Sequence, residues 1–169
     1  MAAHPVVAPH GGNQCSLTDN EQRLTPHYPV MTASIKTVFL IDDDPMSNMI
    51  HQSLLKKHHW SATIVVFETG LAALRALEAA AISPPGSFPD VILLDVEMPA
   101  YDGWDFLSEY AGLPPRLTDR CLLYLLSSSI NPFDIGKAQT YPLVKSYLTK
   151  PLRLANLNQI GQDFQALRA

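Results

Sequence analysis

The stretch KTVFLIDDDP at residues 36–45 decides the expected fold of this chain. Its first six residues form an almost unbroken apolar run of strand length, which is typical of a strand covered on both faces. Asp44 can cap a following helix whose first position is Pro45, where the missing N–H is harmless. Apolar residues then recur at helical spacing at Met46, Met49, Ile50 and Leu54. The pattern predicts a buried strand that leads through an acidic turn into a helix.

The alternation of strand and helix continues along the rest of the chain. Further apolar runs of strand length occupy residues 62–67, 91–94, 121–126 and 144–148. Helices are predicted from residue 71 onward and at residues 104–110, 132–140 and 154–167. Five such alternations predict an α/β fold, a doubly wound five-stranded parallel sheet with helices on both faces.

Length and composition predict one domain with a short appendage. The chain has 169 residues, of which 47% are hydrophobic, enough for a proper core. Residues 1–34 contain four prolines and a Gly-Gly pair but no sustained period, so we expect a flexible tail there and a domain at residues 35–169. Met31 precedes the first expected element. One hypothesis therefore starts natural translation at Met31 and treats residues 1–30 as an upstream misreading.

Charge and composition exclude several function classes. The net charge of −4 argues against a nucleic-acid surface built on bulk charge. No apolar run approaches the roughly 20 residues of a membrane-spanning helix, and residues 1–30 do not resemble a secretory signal. Two cysteines provide neither a disulfide framework nor a Cys-rich metal site. A cytoplasmic protein that binds neither nucleic acid nor membrane is the expectation.

Polar residues follow the predicted strands at the points where the strands end. Asp42 and Asp43 follow the first strand, Asp95 the third, Ser127 the fourth, and the fifth leads to Lys150. The carboxyl ends of parallel strands share one edge, so these side chains should converge. Two carboxylates about 4 Å apart repel by roughly 4 kcal/mol at an effective dielectric constant of 20, so the pocket needs a cation. Hard oxygen ligands favour Mg²⁺.

Such a set of groups is suited to phosphoryl transfer. A bound Mg²⁺ would offset charge on the phosphoryl group, and a carboxylate could act as nucleophile and form an acyl phosphate. Lys150 would pair with one phosphoryl oxygen, and the Ser127 hydroxyl would donate to another.

Four stretches carry a family resemblance: FLIDDDP at 39–45, ILLDVEMPAYDGWDFL at 92–107, YLLSSSINPFD at 124–134 and YLTKPL at 147–152. Together they resemble the receiver domain of two-component response regulators, the single-domain chemotaxis regulator being a familiar example. The resemblance covers roughly residues 36–168. It implies a flavodoxin-like strand order of 2-1-3-4-5.

The resemblance also implies roles for the acidic residues. Asp95 would accept the phosphoryl group from a phosphohistidine. Mg²⁺ would be held by Asp43, Asp95 and the backbone carbonyl of Glu97, with Asp42 acting through a water. Lys150 would contact the phosphoryl oxygens, and its bond to the following proline is expected to be cis.

Signal output is implied by a second set of positions. Ser127 matches the switch hydroxyl and Tyr147 the switch aromatic, while Glu97 and Ser129 occupy positions that tune hydrolysis of the acyl phosphate. The implied donor is a sensor histidine kinase or a histidine phosphotransfer protein; the downstream target is not specified. We expect a monomer or a phosphorylation-dependent dimer, no effector domain, and slow hydrolysis of its own phosphate rather than turnover of external substrates.

Two other functions remain as alternatives. A haloacid-dehalogenase-type phosphatase would use Asp42 as nucleophile, with Asp44 completing its D-x-D motif, but Asp95 and the Met-Pro-x-x-Asp-Gly loop that follows would then have no role. A docking module that works without phosphorylation predicts no labelling at all.

Three histidines fall on the first predicted helix. Only His51 and His58 share a face, and they lie two turns apart, too far for one metal ion. We expect His51, His58 and His59 on a solvated or partner-facing surface.

Overall fold

The computed structural model describes residues 34–84 and 86–169. The predicted tail, apart from Ser34, and the hypothesis of a start at Met31 lie outside these residues. Within them, no helix has the length and apolar character needed to cross a bilayer.

The described residues contain one sheet of five parallel strands. These are β1 (Thr37–Ile41), β2 (Thr63–Phe67), β3 (Val91–Asp95), β4 (Leu122–Ser127) and β5 (Val144–Thr149). Their order across the sheet is β2-β1-β3-β4-β5, and each neighbouring pair is parallel. The predicted α/β fold and strand order are confirmed.

One helix follows each strand, except that two helices lie between β3 and β4. They are α1 (Pro45–Lys57), α2 (Gly70–Ala81), α3 (Gly103–Tyr110), α4 (Pro115–Thr118), α5 (Pro132–Ala138) and α6 (Leu154–Arg168). Of these helices, only α4 was not predicted from the sequence. Pro115 occupies the first helical position, which proline tolerates.

Each face of the sheet has its own apolar core. On one face, Val38 and Leu40 of β1 belong to a cluster that includes residues of α1 and α6. On the other, Phe39 and Ile41 belong to a cluster with residues of α2, α3 and α5. Strands β3 and β4 are buried along their whole length. Burial on both faces explains why their sequences are continuous apolar runs.

The apolar periodicity that predicts α1 does not mark its buried face. Met46, Met49 and Ile50 are 58%, 55% and 46% exposed. The buried face instead includes Asn48 and His51. The surface position expected for His51 is therefore wrong, since this residue is only 1% exposed.

The buried face of α1 is polar because it meets backbone groups as well as apolar side chains. The Asn48 side-chain amide donates to the backbone oxygen of Asp42 at 2.7 Å. The imidazole of His51 accepts a hydrogen bond from the backbone N–H of Leu152 at 3.2 Å. Buried polar backbone groups need such partners, and an apolar side chain cannot supply one.

The start of α3 approaches the end of β3 so closely that only glycine fits. A Cβ atom on Gly103 would lie 2.6 Å from the backbone oxygen of Asp95 and 2.8 Å from the Cα of Val96. The Gly103 N–H donates to the Val96 oxygen at 3.0 Å, and Asp102 caps the helix in a reciprocal capping box with Asp105. The Asp-Gly pair thus fixes α3 against the strand that carries Asp95.

Replacing two helical glycines by alanine should have opposite effects on stability. Gly103→Ala forces backbone apart and should lower the free energy of unfolding by about 1–3 kcal/mol. Gly136→Ala on α5, where a Cβ would meet nothing within 4 Å, should raise it by up to about 1 kcal/mol. Denaturant unfolding of both variants measures the difference. Similar changes in the two proteins would contradict the close approach at Gly103.

Candidate functional site

The first acidic residue of the site lies directly after β1. Asp42 is fully buried, and its two carboxylate oxygens accept from the Asp44 N–H at 3.0 Å and the Ser47 hydroxyl at 2.6 Å. Asp44 has a different task, because its side chain accepts from the backbone N–H groups of Met46 and Ser47 and caps α1. The cap expected from the sequence is confirmed.

One ammonium group joins the ends of three strands. The Nζ of Lys150 lies 2.7 Å from an Asp42 oxygen and 2.9 Å from an Asp95 oxygen. Its backbone N–H donates to the oxygen of Ser127 at 2.8 Å, which ties the segment after β5 to the end of β4. The Lys150-Pro151 peptide bond is cis. Strand-end residues that are far apart in sequence therefore meet at one edge of the sheet, as expected.

Three carboxylates form a cluster at this edge of the sheet, and two of them pair with this ammonium. One oxygen each from Asp42, Asp43 and Asp95 lie within 4.8 Å of one another. Burial raises the pKa of Asp95, the charge of Asp42 adds to this, and Lys150 only partly offsets it. For Lys150, burial lowers the pKa, but hydrogen bonds to both carboxylates outweigh it, so the pKa is raised.

The two carboxylates beside Lys150 raise its pKa, whereas the pKa of Asp95 is raised mainly by burial. Three clustered carboxylates and one ammonium leave two formal negative charges in a mostly buried pocket. A divalent cation would neutralise them, and oxygen-only ligands are those that Mg²⁺ and related hard cations prefer. The donor set therefore fits the cation expected from the sequence.

Glu97 contributes to the site through its backbone. Its N–H donates to an Asp95 oxygen at 3.2 Å, which brings this peptide next to the cluster. Among the described residues, the side-chain cluster does not include the exposed Glu97 carboxylate. A metal contact from its backbone carbonyl stays a prediction.

The two expected switch residues are both bonded to Ser129. The Ser127 hydroxyl accepts from the Ser129 N–H at 2.9 Å, and the Tyr147 hydroxyl donates to the Ser129 carbonyl at 3.0 Å. The Ser129 hydroxyl donates to Asp134 at 3.0 Å and accepts from the Asn131 N–H at 3.1 Å. Ser129 is thus a junction between β4, β5 and the start of α5.

The sequence did not predict this junction. Ser129 was singled out only for hydrolysis of the acyl phosphate, through the family resemblance. Asn131 caps α5, and its spacing from the serines is typical of a loop that hydrogen-bonds itself before a helix. The spacing of Asn131 from the serines could have indicated this loop from the sequence alone. The bond from Tyr147 could not, because this residue lies on a different strand.

Comparisons with known proteins agree with this geometry. A family model described as the response regulator receiver domain matches residues 38–161. Response regulator Rcp1 of Synechocystis sp. is 28% identical over 132 residues, which span 78% of this chain and 87% of the relative. The structure of a two component response regulator from Cytophaga hutchinsonii is 28% identical with a TM-score of 0.74, covering 79% of this chain and 99% of that one.

Two further similar structures are of a phosphorylated protein and of an Mn²⁺-bound protein. The phosphorylated cyanobacterial phytochrome response regulator RcpA is 30% identical with a TM-score of 0.60, covering 78% of this chain and 92% of that one. The Mn²⁺-bound form of response regulator Rcp1 is 27% identical with a TM-score of 0.57 over the same shares, 78% and 92%.

Neutralising Asp95 should stabilise the metal-free fold. Because its pKa is raised, the protonated form stabilises the folded state at acid pH, and this contribution is lost as pH rises through the folded-state pKa. At neutral pH in chelator, Asp95→Asn should therefore raise Tm by roughly 2–4 °C, about 1 kcal/mol. The advantage should shrink as pH falls, because the wild-type carboxyl then becomes protonated as well.

Thermal unfolding across this pH range, with the exposed Asp119→Asn as control, measures the effect. A metal-free Asp95→Asn protein less stable than the wild type at neutral pH would show that the cluster is not overcharged.

Proposed function

The chain belongs to the response regulator receiver domain family, and on that basis we propose that it takes a phosphoryl group from a phosphohistidine onto Asp95. The observation that carries the proposal is the position of the Lys150 ammonium, 2.9 Å from an oxygen of Asp95 and beside the carboxylate cluster. Members of this family are signalling proteins rather than turnover enzymes. Slow hydrolysis of its own aspartyl phosphate is the only hydrolytic step that we assign to it.

The transfer needs one nucleophile and compensation of charge. An Asp95 carboxylate oxygen attacks phosphorus, the P–N bond to the donor imidazole breaks, and the imidazole nitrogen keeps the electron pair. Lys150 would leave its ion pair with Asp95 to contact a phosphoryl oxygen. The Ser127 hydroxyl would donate to another.

Mg²⁺ completes the proposed site. Asp43, Asp95 and the Glu97 carbonyl would hold it directly, and Asp42 would act through a water. When bound, the ion supplies charge neutralisation for the phosphoryl group. The overcharged cluster supports this assignment, as does the Mn²⁺-bound form of the relative Rcp1.

Phosphorylation would change the surface through the Ser129 junction. An aspartyl phosphate adds about one further negative charge and strong acceptor oxygens, which would draw the Ser127 hydroxyl away from the Ser129 N–H. The Tyr147 hydroxyl and α5 are bonded to the same residue, so both would respond. Changing the population ratio of the two surface conformations from 1:99 to 99:1 needs about 5.5 kcal/mol of differential stabilisation. One or two new charge-assisted hydrogen bonds would supply part of it, so we expect a partial shift.

The downstream target would dock next to this junction. Ile130 and Phe133 are large apolar residues that are mostly exposed there, and exposed apolar side chains that lie together often mark interaction sites.

A sensor histidine kinase or a histidine phosphotransfer protein is the proposed donor. The cytoplasmic location and the monomer or phosphorylation-dependent dimer stay predictions.

The phosphatase alternative is not favoured by the site. Its D-x-D motif would require Asp44 as a functional carboxylate, but both Asp44 oxygens accept hydrogen bonds from the first turn of α1. It also leaves Asp95 and Lys150 in contact without a role for Asp95. The docking module differs from the proposal only in predicting no labelling.

Labelling with a small phosphodonor tests the phosphoacceptor. With excess Mg²⁺, the wild-type protein should gain the mass of one phosphoryl group, and peptide mapping should place it on Asp95. Asp95→Asn should abolish the gain because the nucleophile is missing, and chelator should suppress it. Intact mass spectrometry measures both effects, with Asp119→Asn as a carboxylate control.

Label on Asp42 together with turnover of phosphate monoesters would support the phosphatase. Absence of label under all conditions would support the docking module.

Removing the switch hydroxyl should separate labelling from signalling. Ser127→Ala should still be labelled at Asp95, but the Tyr147 ring signals in NMR spectra should lose most of their change on phosphorylation, since the bond to Ser129 is gone. Ser108→Ala, a hydroxyl on α3 that bonds only its own helix, serves as control. An undiminished response of Tyr147 in the Ser127 variant would rule out this coupling route.

A further inference from the structure

One buried histidine makes a long-range contact that the proposed mechanism does not yet use. His51 lies on the buried face of α1, and its Nε2 accepts from the backbone N–H of Leu152 at 3.2 Å across 101 positions of sequence. A buried imidazole is costly to desolvate, and an apolar side chain of similar size would avoid that cost. The contact therefore points to a task that an apolar residue could not perform.

The position of Leu152 shows what this contact holds. Leu152 follows Lys150 by two residues, and Pro151 between them has no N–H to donate. At its start, the segment 150–152 is fixed by the bond from the Lys150 N–H to the Ser127 oxygen. At its end, it is fixed by the bond from Leu152 to His51. The backbone that carries the site ammonium is thus held from both sides.

The same face of α1 also holds the acidic side of the site. Asn48, one turn before His51, donates from its side-chain amide to the Asp42 backbone oxygen at 2.7 Å. One helix face thereby holds the backbone of Asp42 and that of Leu152, two residues after Lys150. A shift of either contact would alter the distance between the ammonium and the carboxylates.

The contact requires a neutral imidazole with its proton on Nδ1. Nε2 can accept only when it carries no hydrogen, which places the proton on Nδ1. Burial lowers the pKa of His51 and Lys150 lowers it further, while Asp42 and Asp44 oppose this without reversing it. Nδ1 of His51 and Oδ1 of Asn48 find no hydrogen-bond partner among the described residues.

We propose that His51 is a positioning residue for phosphoryl transfer: its Nε2 holds the segment 150–152 so that the Lys150 ammonium faces Asp42 and Asp95. The inference rests on the proposed phosphoacceptor function of Asp95. His51 touches no reacting atom in this assignment and acts through the backbone of Leu152.

Three substitutions separate the hydrogen bond from mere filling of space. The side-chain amide of His51→Gln reaches the place of Nε2 and can accept from Leu152, whereas that of His51→Asn reaches only the place of Nδ1. His51→Leu fills the space without any acceptor. The exposed His59→Asn serves as control, since asparagine tolerates the positive φ of 47° at this position.

The rate of labelling at Asp95 with a small phosphodonor and saturating Mg²⁺ is the main measurement. We expect the Gln variant and the His59 control to remain close to the wild-type rate. The Asn and Leu variants should be about tenfold slower or more, as is typical when a supporting hydrogen bond of a site is removed. Equal rates for Gln and Asn, or a wild-type rate for Leu, would overturn the proposal.

A second measurement does not depend on phosphorylation. Two-bond ¹H–¹⁵N spectra of the wild-type imidazole at neutral pH should show His51 protonated at Nδ1 and bare at Nε2. An imidazolium, or a proton on Nε2, would overturn the contact. A Gln variant that does not fold would also count against it, since this substitution keeps the acceptor.

The two levels of the proposal can fail separately. A wild-type protein that is never labelled at Asp95 refutes the proposed function, whatever the His51 spectrum shows. A labelled wild type whose Gln, Asn and Leu variants do not differ refutes only the role of His51.

Discussion

The ion pair of Lys150 with Asp42 and Asp95 is the interaction on which the site depends. Its distances of 2.7 and 2.9 Å bring the ends of β1 and β3 to the segment after β5. The same interaction leaves the pocket with more carboxylates than cations. The fold therefore gathers charge that it does not neutralise by itself. In physical terms, this surplus of negative charge is why we propose a divalent cation at this site.

Much of the fold and the site could be predicted from the sequence, because the same pattern marks the strands and the residues at their ends. A buried parallel strand is a continuous apolar run, and the first polar residue after it marks the edge where the strands end. Asp42, Asp95 and Ser127 followed from that rule, and Lys150 lies two residues after the predicted fifth strand. The strand order did not follow from the runs, and only the resemblance to a family supplied it.

The remaining features could not be predicted, because apolar periodicity carries no information about which polar residues are buried. His51 looked like a surface histidine, since nothing near it in sequence announces a partner at residue 152. The apolar residues Met46 and Met49 suggested a face of α1 that is in fact exposed. In both cases, the deciding partner comes from a distant segment, and local pattern carries no information about it.

The close approach of α3 to β3 gives the site unequal mechanical compliance. Backbone contact at Gly103 leaves no slack at the start of α3, whereas Ser129, after β4, is held by hydrogen bonds that can exchange. We therefore expect a change at Asp95 to move the segment at Ser129 more readily than the start of α3. The fold itself would thus determine which segment moves, independently of any binding partner.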